Sequence, residues 1–125
     1  MKYVGYLAAT HNGFINGFIE LIKRLDQKQV ISADMNKYNW TIVTPSVTYC
    51  GVAYEDIQGA VNPVKYFPFT QPTAIMLSPL IYESIYETIA DHYDYSEIPI
   101  SIWMIAQNKT VDAKKFYAEG RNRID

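Results

Sequence analysis

Twice in this chain a short apolar run hands over, through a few small or polar residues, to a segment with helical periodicity. The first unit is "KYVGYLAA" followed by "THN" and a pattern starting at Gly13; the second is "TAIML" followed by "SP" and "LIYESIYETIADHY". A strand that feeds a helix returns to a parallel partner, so two such units favour a partly parallel sheet with helices on its faces. In the first helix, expected over residues 13–25, Phe14, Phe18, Leu21, Ile22 and Leu25 fall on one face. In the second, Ile81, Ile85 and Ile89 form an inward stripe, while Glu83, Glu87 and Asp91 form a solvated one. Ser78 is expected to cap that helix, with Pro79 at its first position, where a missing N–H costs little.

The remaining segments are read more coarsely. Residues 26–38 read as a polar connection. "WTIVTPSVTYCGV" is strand-like with an interruption at Pro45, which argues for an edge strand or a bend. "AYEDIQGAV" suggests a short helix, and "NPVKYFPF" an extended, irregular stretch. "EIPISIWMIA" is a buried strand, and "AKKFYAEGR" the last one, joined through the turn-like "QNKTVD". With 125 residues and no linker-like stretch, residues 1–125 form a single domain. The expectation is an α/β fold: one small domain, a mixed sheet of about five strands and two main helices.

Composition excludes several classes. The formal net charge of -2 does not suit a duplex nucleic-acid coat or a membrane-surface protein. One region departs from that balance: residues 109–125 carry Lys109, Lys114, Lys115, Arg121 and Arg123 against Asp112, Glu119 and Asp125. A single cysteine, Cys50, excludes an internal disulfide. No stretch resembles a signal peptide or a membrane span, so a reducing, cytoplasmic setting is expected, the host cytoplasm if the protein is viral. His11 and His92 are isolated, and no zinc, Rossmann, phosphate-loop or nucleophile-elbow motif is present. No metal or cofactor is expected.

What remains is the two junctions and the basic end. A strand-to-helix junction gathers backbone N–H groups that suit an anion such as a phosphate. Thr10, His11 and Asn12 could hydrogen-bond a ribose or phosphate there, or serve only as cap and turn residues. Ser78 has the same two readings. Tyr82 and Tyr86 could stack on a base or pack at the helix rim. Arg121 and Arg123 could grip phosphates bidentately. Lys114 and Lys115, adjacent on an expected strand, would point to opposite faces, so one of them, Lys115, is taken as the groove residue.

Read together, "GYLAAT", "YCGVAYEDIQGAV" and "YSEIPISIWMIAQNKTVDAKKFYAEGR" resemble segments of the small viral ring nucleases, the type III anti-CRISPR family. The resemblance spreads over most of the chain, with no counterpart for residues 26–38 and 62–72. It implies an α/β homodimer whose two-fold groove holds a cyclic oligonucleotide. The family's catalytic His has no match, since Ser78-Pro79, or Gln71 in an alternative alignment, stands in its place, whereas its ligand-contacting Arg corresponds to Arg121. A groove that keeps its grip and loses its catalytic group suits a sponge, like the phage proteins that trap Thoeris or CBASS cyclic nucleotide signals without cleaving them. Two alternatives stay open. One is a metal-independent ring nuclease in which His11 supplies the proton. The other is an inhibitor that docks on a host defence complex through Glu83 and Glu87. The Tyr-rich second helix and the Pro45 strand also suggest a homodimer or a higher even oligomer.

Overall fold

A computed structural model describes residues 2–57, 63–69, 71–93 and 97–120. Its centre is β1 (Lys2–Ala8), which alternates Tyr6 and Ala8 to one face of the sheet with Leu7 to the other. Strand β1 lies parallel to β4 (Val47–Ala53) on one side and to β5 (Ala74–Leu77) on the other, and β5 is parallel to β6 (Ile100–Met104). Antiparallel hairpins extend both flanks. On one, β2 (Ser32–Met35) and β3 (Asn39–Val43) add to β4; on the other, β7 (Lys109–Asp112) adds to β6. The order is β2-β3-β4-β1-β5-β6-β7.

Helices cover both faces. Helix α1 (His11–Arg24) packs Phe14 and Leu21 with Tyr6, Trp40, Ile42 and Trp103. Helices α2 (Glu83–His92) and α3 (Ala113–Ala118) place Ile89, Phe116 and Tyr117 on the opposite face with Leu7, Ile75 and Ile102. The α1 side is packed unusually close. A Cβ on Gly17 would lie 2.5 Å from the Tyr6 ring, and one on Gly51 would lie 2.0 Å from the Trp40 ring, so both large aromatics use space that only glycine leaves. The Trp40 indole Nε1–H is satisfied by the Phe14 carbonyl at 2.9 Å.

The α/β class and the single mixed sheet are as expected, but the sheet has seven strands rather than five. The polar connection over 26–38 contains β2, turned into β3 by Asn36, whose side-chain oxygen accepts from the Tyr38 and Asn39 N–H groups. As an edge strand with no buried residue, β2 carries no apolar alternation to betray it. Of the two expectations for Pro45, the bend holds and the edge strand does not. The proline sits in the turn between β3 and β4, where the Val47 N–H bonds the Thr44 hydroxyl at 3.0 Å, and both flanking strands are paired on both sides.

Helix α1 starts at His11, earlier than Gly13, because Thr10 caps it: Thr10 Oγ1 accepts from the Gly13 N–H at 3.0 Å. Ser78 does not cap α2. The helix begins at Glu83, and Ser78 closes a separate turn, accepting from the Ile81 N–H through its carbonyl and from the Leu80 N–H through Oγ. "QNKTVD" is largely strand β7, and Asp112 then caps α3 through the Lys115 N–H at 3.1 Å, so Lys114 and Lys115 are helical rather than alternating on a strand. Tight helical turns stand at Tyr54–Ile57 and Pro63–Tyr66, the second in a stretch expected to be extended. Among the described residues no helix is long and apolar enough to cross a membrane.

Candidate functional site

From β1 the chain leaves through α1 towards β4; from β5 it leaves through α2 towards β6, on the other side. The connections therefore part between the carboxyl ends of β1 and β5, the place where open α/β sheets leave a crevice for a ligand. A cleft of about 320 Å³ lies there. Helix α1 contributes Gly13 and Asn16, the turn after β5 contributes Ser78, Pro79 and Leu80, and β6 with its following turn contributes Trp103 and residues 104–107. Tyr6 also lines it. Beyond Leu80 the cleft continues into a more open hollow of about 460 Å³ along Thr10, Asn12, Ile15 and Ile19.

Both lips are tied down. The Ser78 N–H bonds the Leu7 carbonyl at 2.9 Å, and the buried Tyr117 hydroxyl donates to the Ile81 carbonyl at 2.6 Å from the far face of the sheet. On the other lip, Arg24 reaches from the end of α1 to the Asn108 side chain at 2.7 Å and to the Ile105 carbonyl at 3.2 Å. Asn108 is left-handed at φ 50°, a conformation asparagine tolerates better than most residues and that turns the chain into β7. Walls held this way need little ordering when a ligand arrives.

The lining is mostly apolar, with a few polar groups and no charge. Asn12, Asn16 and Gln107 offer amides that both donate and accept, and Thr10 and Ser78 offer hydroxyls. Tyr6 and Ser78 share a side-chain hydrogen bond, and burial holds the Tyr6 phenol above its ordinary pKa, so it stays protonated at neutral pH. Among the described residues no Lys, Arg, Asp or Glu lines either hollow.

His11 faces elsewhere. Its Nδ1 lies 2.7 Å from Asp56 Oδ2, its backbone N–H donates to Glu55 Oε2 at 2.9 Å, and its ring leans on Phe14. Glu55 and Asp56 follow β4, whereas the cleft lies on the β5 side of β1. The anion-attracting start of α1 thus already holds a carboxylate from this chain.

Of the residues singled out from the sequence, Thr10, Asn12 and Ser78 come together around the cleft and its extension. His11 is part of the acidic pairing beside it. Tyr82 is 71% exposed and lines neither hollow, and Tyr86 stacks on Tyr117 at 4.9 Å, a packing role. Lys115 stands exposed on α3, across the sheet from α1. Arg121 and Arg123 lie outside the described residues. Asn16, Gln107, Tyr6 and Trp103 were not singled out. Asn12 and Asn16, one helical turn apart, carry a readable signal; the other three meet only through the sheet order. No group of three or more metal-ligating side chains occurs among the described residues.

Compared with protein-family models and with curated proteins, the sequence matches none.

Proposed function

We propose that this chain binds a cyclic nucleotide immune signal and holds it without cleaving it, acting as a viral anti-defence sponge in the host cytoplasm. The observation that carries the reading is the cleft at the divergence of β1 and β5, walled by Asn16, Ser78 and Gln107. Amides with paired donors and acceptors match the edges of a nucleobase, hydroxyls match a ribose, and Leu80 and Met104 offer an apolar surface to the base. In this arrangement the nucleoside part enters the cleft, and the phosphates lie outward, since Glu55 already occupies the start of α1. Equilibrium capture needs no group aimed at a reacting atom.

The test is calorimetric titration with cyclic dinucleotides, cyclic trinucleotides, cyclic tetra-adenylate and cyclic ADP-ribose isomers. We expect one member to bind, Asn16→Ala to weaken it by about tenfold, in line with the loss of one or two hydrogen bonds, and the ligand to be recovered intact. Failure of the whole panel to bind would overturn the reading.

One observation favours a second reading, a metal-independent ring nuclease. Asp56 fixes His11 through Nδ1 and leaves Nε2 to exchange a proton, as in other carboxylate-oriented histidines. Linear products that disappear in His11→Ala would decide for the enzyme.

A further inference from the structure

At the opposite end of the sheet lies a second hollow, of about 280 Å³, whose lining differs in kind from that of the cleft. It is built by Val64 and Lys65 from the Pro63–Tyr66 turn, by Phe67 and Phe69 just after it, and by His92 and Tyr93 at the end of α2. Its position at the amino ends of the parallel strands follows from Phe69, whose ring meets that of Tyr3 near the start of β1 at 5.4 Å.

The floor is aromatic. Phe67 and Phe69 stack at 5.5 Å with their planes 9° apart, and Phe67 and Tyr93 are nearly fully buried. The rim carries two basic side chains: Lys65 and His92 are both exposed, and the His92 ring stands edge-on to Tyr93 at 4.8 Å. Lys23 and Arg24 have an acidic partner in Glu20, and His11 has one in Asp56. Among the described residues neither Lys65 nor His92 has one, although each could form a charge-assisted bond with an anion.

We propose that this hollow is a binding site for a small aromatic carboxylate, with the ring laid against Phe67, Phe69 and Tyr93 and the carboxylate between Lys65 and His92. Aromatic walls select a flat ring through offset or edge contacts, and two basic groups on one rim select a single negative charge. The volume is at the small end of ligand pockets. The site is independent of the cleft, whose described lining has no charged side chain.

The experiment is titration of the 15N-labelled chain with benzoate, followed by amide chemical shifts, with benzamide and cyclohexanecarboxylate as neutral and non-aromatic controls. Saturable shifts at Val64, Lys65, Phe67, Phe69, His92 and Tyr93 are expected, with each control binding about tenfold more weakly. The double variant Lys65→Gln/His92→Gln, whose substitutions are at exposed positions, should keep the dispersed spectrum of the fold and lose about tenfold in affinity. Absence of saturable shifts, equal affinity for benzamide, unchanged affinity in the double variant, or shifts confined to Gly13, Asn16 and Gln107 would overturn the proposal. The last outcome would place benzoate in the cleft and leave the nucleotide reading to its own titration.

Discussion

Gly51 and Gly17 show how much of the α1 face rests on two missing methyl groups. Gly51→Ala drives a Cβ into the Trp40 ring, and Gly17→Ala drives one into Tyr6. Each should destabilise by about 1–3 kcal/mol through overpacking, measured as a lower urea midpoint. Cys50 carries a prediction of another kind. Burial pushes its thiol up to about 12 from an ordinary value of 9, so the folded protein should resist thiol reagents at pH 8 and react only on unfolding. The linkage runs in one direction. A folded-state pKa above the unfolded one keeps its stabilisation in full below pH 9 and loses it as pH rises towards 12, and Tyr6 adds to the loss above its ordinary value of 10. Urea midpoints should therefore fall steeply above about pH 9; a flat profile between pH 8 and 11 would contradict the burial of both groups.

Local chemistry decided which elements could be read in advance. Helices α1 and α2 and strands β1, β4, β5 and β6 announce themselves because each is buried on a face or on both, and burial writes a period into the residues. Strands β2 and β7 lie at the two edges and are mostly exposed, so neither has such a period. Helix α3 was mistaken for a strand because Ala113, Phe116 and Tyr117 are too few to distinguish a single helical stripe from alternation. Its signal was Asp112, a cap residue three positions before Lys115. In the site, the two junctions were visible as junctions. Their chemistry was not, because Glu55 and Asp56 reach His11 only after β1 and β4 have paired in parallel. The caps give a prediction at this scale. Thr10→Ala and Asp112→Ala should each cost about 1 kcal/mol, and Thr10→Ala should also weaken any ligand seated along the start of α1, which the same titrations would register.

For the whole molecule, assembly is the property most exposed to test. The edge strand β2 ends in exposed Met35 and is flanked by exposed Ile31 and Tyr38. Its register with β3 pairs Ser32 with Val43 and Asp34 with Thr41, and Asn36 donates to the Asn39 carbonyl, so the backbone groups of Ala33 and Met35 point away from the sheet. Two copies related about Ala33 would set Ile31 opposite Met35 and Ser32 opposite Asp34, keeping the two aspartates apart. The expected outcome is a dimer by light scattering at micromolar concentration, converted to monomer by Ala33→Pro, which removes an outward N–H without touching the β2–β3 ladder. A monomeric wild type would end this model of assembly.

The place of β1 has a consequence in time as well as in space. Among the described strands the earliest to leave the ribosome is the middle of the sheet, and its partners come much later: Lys2 waits for Val47, and Val4 waits for Ala74. Until then both margins of β1 are open, and the aromatic side chains of Tyr6 and Phe14 have no finished layer to enter. A fold closed by such distant pairings forms slowly and passes through sticky intermediates. Nascent chains truncated before residue 74 should therefore bind a holdase chaperone, whereas chains extended past β6 should release it.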